Sequence, residues 1–195
     1  MRTIQSLCLS TLAAMLAFPA SAALLTFDTS DSQFLAGSDN QGFINPSFGQ
    51  VELPGNDNYI VGLLGSLEYR NYFTFDLSSL ADEVVGARLE VARHAYRGDA
   101  SETLGLFAVA TDAATLNRNL APLASLFEDL GSGISYGTFE VASYATSTSE
   151  LLSFSLNTAA LADISAAAGG FFSIGGALQS IFRSAPQNLF FGSGG

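Results

Sequence analysis

One histidine, His94, and one cysteine, Cys8, are all that this chain offers as imidazole or thiol, and it contains no lysine. Nucleophilic catalysis needs a nucleophile with a base beside it, and His94 is the sole imidazole base. It stands next to Arg93 in a charged segment, the setting of a solvated surface histidine rather than a triad member. Gly170-Phe171-Phe172-Ser173-Ile174-Gly175 is the nearest approach to a nucleophile elbow, and its spacing is wrong. Glycoside hydrolysis needs only two carboxylates about 5 to 10 Å apart, which 18 acidic residues supply by chance. Pairs such as Asp82-Glu83 and Glu128-Asp129 fall beside turns or helix ends, where solvation accounts for them. The expectation is a non-enzymatic protein without a catalytic cofactor.

Two kinds of binding chemistry remain. Asp28, Asp31, Asp39 and Asp57, with Asn40, Asn56 and Asn58, place hard oxygen ligands in loop-like sequence, so calcium is the ion to consider. None of them matches EF-hand spacing, and no site can be located. Carbohydrate recognition usually stacks sugars on aromatic rings, and the chain has no tryptophan. Tyr72 and Tyr96 are then the candidate platforms. Tyr72 shares the expected outer face of a strand with Arg70, which can donate paired hydrogen bonds, and Tyr96 follows Arg93-His94. Arg97-Gly98-Asp99 spells an adhesion tripeptide but reads as a hairpin loop, since such turns ask for Gly and Asp.

The address is legible at the start. Met1-Arg2, an apolar run from Leu7 to Phe18 and then Pro19-Ala20-Ser21-Ala22 form the three parts of a secretory signal peptide, with Ala20 and Ala22 in the small-residue cleavage positions. The expected organisation is a signal over 1–22 and a single β-sandwich domain over 23–195, secreted or held in the cell envelope. Cys8 leaves with the signal, so no disulfide is expected. The formal net charge is −11, and one unit more negative once Arg2 is removed. Such a field repels a phosphate backbone, which excludes nucleic acid as a partner, and no later apolar run is long enough to span a bilayer.

The elements that must position these residues are mostly strands. In Glu68 to Leu77, Tyr69, Phe73, Phe75 and Leu77 share one parity and Arg70, Thr74 and Asp76 the other, predicting a half-buried strand. Burying Phe73 and Phe75 should contribute about 1.5 to 3 kcal/mol each. A second strand has Ala87, Leu89 and Val91 inside with Arg88 and Glu90 outside. Further strands are expected over 103–110, 136–143, 151–156, 170–178 and 188–192, and short strands with long turns over 24–55. Two helical inserts interrupt them: 112–130, split in two by Pro122, and a helix capped by Asn157 or Thr158 and stopped by Gly169-Gly170. The fold class that results is an all-β, antiparallel, jelly-roll-like sandwich with two short helical inserts.

Several ordered blocks carry a resemblance. Arg70-Asn71-Tyr72-Phe73-Thr74-Phe75-Asp76-Leu77-Ser78-Ser79-Leu80, Ala87-Arg88-Leu89-Glu90-Val91 and Ser101-Glu102-Thr103 are joined by Asp129 to Gly137, Leu156 to Leu161, Phe172 to Leu178 and Phe190 to Gly195. Together they resemble the exported bacterial proteins of the PEP-CTERM sorting-signal group. Arg70 through Val91 is more loosely similar to DNRLRE-type β-sandwich domains found beside polysaccharide-degrading modules. The resemblance implies export, a β-sandwich and a place in or near the extracellular matrix, with exopolysaccharide or cell-surface components as partners. A glycan-binding accessory module is the alternative it implies. The sequence departs from the group by ending at Gly195 without the Pro-Glu-Pro motif, apolar helix and basic tail, so the expectation is a fragment of a longer product or a tailless relative.

Overall fold

A computed structural model describes residues 23–47, 58–143, 150–181 and 189–191. The expected signal peptide, with Ala20 and Ala22, lies outside these residues, as do Asn56 and Asp57. Among the described residues there are ten strands: β1 (Gln41–Ile44), β2 (Val61–Leu64), β3 (Leu67–Asp76), β4 (Arg88–Arg93), β5 (Ala95–Arg97), β6 (Ser101–Ala108), β7 (Ser135–Ala142), β8 (Glu150–Ser155), β9 (Phe171–Leu178) and β10 (Leu189–Phe191). Three helices accompany them: α1 (Ala113–Asn117), α2 (Leu123–Asp129) and α3 (Thr158–Ala166). The fold is all-β, and every strand pairing is antiparallel.

Eight strands form one sheet in the order β5-β10-β2-β3-β9-β6-β7, with β1 paired to β3 beside β2. The other two, β4 and β8, form a separate two-stranded sheet. Between the sheets lies the main core, where Phe73, Leu104, Leu106, Phe172 and Ile174 of the large sheet meet Leu89, Val91 and Phe154 of the small one. Ala160 and Ile164 of α3 close this core at the side. The alternation expected in β4 is observed: Leu89 and Val91 are buried, Arg88 and Glu90 exposed. β2 and β3 are joined by the two-residue turn Gly65-Ser66, where Gly65 takes a φ of 66° that a side chain would resist.

Both inserts form helices where expected, and Pro122 separates α1 from α2. Asp112 caps α1 by accepting from Thr115 N, and Asn157 caps α3 by accepting from Ala159 N and Ala160 N. The α1–α2 insert has a consequence for β3 that simple alternation misses. Its apolar residues Leu116, Leu126, Phe127 and Leu130 bury themselves, with Ile44, against Tyr72 on the outer face of β3. β3 is therefore covered on both faces at its centre, and the expectation that Thr74 faces solvent is corrected. Thr74 is 0 % exposed, and its hydroxyl pairs with that of Ser173 (2.8 Å) and accepts from Asn117 Nδ2 (3.0 Å). Phe75, expected inside with Phe73, is only partly buried against the main core.

Small residues on β9 let both the insert and the side chain of Asn71 on β3 approach closely. A Cβ on Gly175 would sit 2.6 Å from Leu130 O, and one on Gly176 would sit 2.1 Å from Asn71 Oδ1. The Arg97-Gly98-Asp99 tripeptide is a turn between β5 and β6, but these strands do not pair with each other, so it is not a hairpin loop. β5 pairs instead with β10. None of the helices among the described residues is long and apolar enough to cross a membrane.

Candidate functional site

The residues expected to bind a sugar are not gathered into one site. Tyr72 is 1 % exposed, and a Cβ on Gly42 would fall 2.7 Å from its hydroxyl, so its ring offers no stacking platform. The correction has one physical cause: the apolar faces of α1 and α2 need a surface to cover, and the outer face of β3 is that surface. Arg70 is consumed by the same insert. Its Nη1 donates to Phe127 O (2.9 Å) and Glu128 O (3.3 Å), and its guanidinium lies 4.1 Å from the Phe127 ring centroid. It satisfies carbonyls at the C-terminal end of α2 and opposes the negative end of that helix, with Glu68 and Glu128 as ion-pair partners.

Tyr96 is three strands away, on β5, roughly 14 Å across the sheet at the usual strand spacing. It is half-buried, donates to Asp99 O (2.8 Å) and has the Arg93 guanidinium 5.4 Å from its ring centroid. Burial and then the charge of Glu102 push its phenol up to about 12. Glu102 is itself buried and satisfied, accepting from Asp99 N (2.9 Å) and from the Ser180 hydroxyl.

The loop carboxylates considered for calcium serve as local staples. Asp28 Oδ1 accepts from Ser30 N (2.9 Å), Asp31 Oδ2 from Asp28 N (3.2 Å) and Asp39 Oδ1 from Gln33 Nε2 (3.2 Å). Asn40 is buried, with Oδ1 accepting from Phe34 N and Nδ2 donating to Asp31 O. Other acids behave alike. Asp129 accepts from Ala110 N, Thr111 N and the Thr111 hydroxyl, tying the end of α2 to the segment after β6. Asp76 is held below the usual carboxylate range by hydrogen bonds from Ser32 and then Ser78.

A cleft of about 440 Å³ opens at a place the sequence reading did not single out: the seam between the outer edge of β7 and the outer edge of β8. No ladder joins these strands among the described residues. One end of the seam is tied by Asn157, whose N–H donates to Tyr136 O (3.0 Å) and whose Nδ2 donates to Ser135 O (2.8 Å). The other end is tied by Arg93, 3 % exposed at its side chain. Its Nη1 donates to Ala142 O (2.7 Å) and its Nη2 pairs with Glu150. Phe139 and Phe154 form the apolar floor, with ring centroids 5.0 Å apart.

The direction of the main-chain groups along the seam follows from antiparallel alternation. Ser143 N donates to Ala100 O (2.8 Å), so Ser143, Val141 and Phe139 turn their N–H and C=O groups toward β6. Thr138, Glu140 and Ala142 turn theirs outward into the seam. On the opposite wall Leu156 N donates to Ala87 O (3.0 Å), so Leu151, Ser153 and Ser155 likewise face away from β4. Among the described residues both ends of the gap are tied and the strand edges between them are open, which makes a slot with hydrogen-bonding walls.

A second cleft of about 300 Å³ lies where α1 and α3 meet β9. There the Tyr136 hydroxyl donates to Asp163 Oδ2 (2.8 Å), and burial, then Asp163, raises the phenol above its ordinary value. At its rim Phe171 is 38 % exposed and tilts against Phe34, with centroids 4.7 Å apart.

Sequence reasoning missed the seam because it depends on which edges remain unpaired, a property of the sheet order and not of any strand alone. The only sequence signal for it is indirect: Thr138, Glu140, Ser153 and Ser155 are polar residues alternating with apolar ones in strands that turned out to be edges. No family model matches the chain, and no curated protein matches it.

Proposed function

We propose that this chain is an exported, non-enzymatic β-sandwich protein of the bacterial extracellular matrix, and that it holds a matrix component in the β7–β8 seam. One observation carries the reading: among the described residues the seam has main-chain groups that pair with no strand on either wall and an apolar floor, while the prominent carboxylates elsewhere cap helices, close turns or pair with buried partners. The test is co-sedimentation of the purified protein with extracellular matrix stripped from a producing culture. Thr138→Tyr combined with Ser153→Tyr fills the slot from two exposed positions and should abolish co-sedimentation with little change in melting temperature. Undiminished co-sedimentation of that variant would overturn the reading.

A glycan-binding accessory role is the second reading, and Phe171 favours it. Its exposed ring borders a cleft that also holds the Tyr136 hydroxyl and Asp163, a combination of apolar platform and polar contacts suited to a neutral sugar. Calorimetric titration with soluble polysaccharides, with and without calcium, against Phe171→Ala tests it. Binding that is insensitive to Phe171→Ala rules this site out.

A further inference from the structure

We infer that the seam takes an extended polypeptide segment in which basic and apolar residues alternate, added as a strand along the edge of β7; the inference rests on the reading of the seam as the binding site. The walls set the class of ligand first. Thr138 and Glu140 present N–H and C=O groups outward at every second residue, about 7 Å apart, and Ala142 adds an N–H while its carbonyl is held by Arg93. A row of donors and acceptors at that repeat matches the main chain of another strand. Pairing along an open edge is how sheets recruit extended peptides.

The floor and the rim set the side-chain pattern. A strand lying against β7 turns alternate side chains inward onto Phe139, Leu152 and Phe154, where an apolar residue removes more surface from water. Its other side chains turn outward, beside Glu140. That carboxylate accepts from the hydroxyls of Thr103 (2.7 Å) and Ser101 (3.3 Å), which orient it and leave its charge in place. Glu150 is neutralised by Arg93, so the net local charge of the described groups lining the slot is the single negative charge of Glu140. A chain with a formal net charge of −11 adds a long-range attraction for a cationic segment.

The same residue argues against a second copy of this chain as the occupant. Two β7 edges pairing antiparallel about Glu140, the middle of the outward-facing set Thr138, Glu140 and Ala142, would set one Glu140 opposite the other, and like charges directly opposed across strands are destabilising. An acidic edge residue that repels its own kind and attracts a basic partner discriminates between the two by one charge.

The experiment uses the intact chain and a short synthetic peptide of alternating lysine and valine. Two control peptides accompany it: one N-methylated at every second residue, with the same charge and side chains, and one with glutamate in place of lysine. Fluorescence anisotropy should show that N-methylation and the glutamate exchange each weaken binding at least about 10-fold. Glu140→Gln should weaken the lysine–valine peptide several-fold and flatten its dependence on salt. Equal affinity for the N-methylated peptide would overturn strand pairing, because charge attraction alone would then account for binding. Concentration-dependent dimerisation that protects the β7 amides without peptide would overturn it too, in favour of a second copy. The two readings fail separately. If no peptide binds yet the Thr138→Tyr/Ser153→Tyr variant loses the matrix, the strand inference falls and the seam stands. If the peptide binds as expected yet that variant keeps the matrix, the matrix role falls.

Discussion

Replacing Phe73, Thr74 and Phe75 in turn separates a strand buried on both faces from one buried on one. Phe73 is 4 % exposed, in T-shaped contact with Tyr59 (centroids 5.1 Å apart), and its truncation to Ala should cost about 3–5 kcal/mol. In a domain of this size that lowers the melting temperature by roughly 6 to 20 °C. Phe75 is half-buried at the end of β3, and Phe75→Ala should cost about half as much. Thr74 is the informative position. Thr74→Val keeps the shape and removes only the hydroxyl, leaving the Ser173 hydroxyl without this partner while Asn117 Nδ2 retains its bond to Ala113 O. The expected loss is about 1–3 kcal/mol, the cost of a buried polar group deprived of a partner. Ser173→Ala in the Thr74→Val background should recover part of that loss, giving a coupling energy of about 1 kcal/mol in a double-mutant cycle. Urea melts of the single and double variants measure all of these. If Thr74→Val is neutral and uncoupled from Ser173→Ala, the outer face of β3 is open to solvent and the placement of α1 and α2 is wrong.

Arg70→Ala should destabilise by about 2 kcal/mol, through lost charge-assisted bonds to Phe127 O and Glu128 O, and leave any polysaccharide affinity unchanged; a changed affinity without lost stability would restore Arg70 as a ligand contact. Gly175→Ala should cost about 1–3 kcal/mol or more, because its Cβ would meet the Leu130 backbone at 2.6 Å, and a thermal melt at the wild-type value would contradict that approach. Burial pushes the Tyr59 phenol up to about 12 from an ordinary 10.0, so the fold holds it neutral. Its contribution is complete below pH 10 and is lost as the pH rises through 12, amounting to about 3 kcal/mol. Tyr59→Phe should weaken this alkaline loss, as followed by equilibrium unfolding at stepped pH, whereas phenolate appearing near pH 10 without unfolding would refute it.

Much of the fold could be read in the residues because amphipathic alternation and capping are local. Leu89 and Val91 against Arg88 and Glu90, Asn157 before α3 and Pro122 between α1 and α2 each declare their element within a few positions. β2 and β5 escaped notice because four and three residues carry too little period to stand out. The burial of Tyr72 and Thr74 escaped for another reason. Alternation assigns a residue to one face or the other, and whether that face meets solvent is decided by Leu116 and Leu126, more than forty positions further on. Arg70 illustrates the same limit, since its neighbours in sequence suggest an exposed arginine beside a tyrosine while Phe127 and Glu128 give it its role. The seam was the least visible, as its walls are edges among the described residues and an edge follows from the order of the whole sheet.

Backbone amide exchange, resolved by residue and followed with and without extracellular matrix extract, tests the claim that the β7–β8 seam is the binding site. The account predicts that Thr138, Glu140, Leu151 and Ser153 exchange quickly in the free protein, because their N–H groups face the open slot, and slow markedly when matrix is present. Slow exchange at these positions in the free protein, or matrix protection that falls elsewhere and leaves them fast, would contradict it.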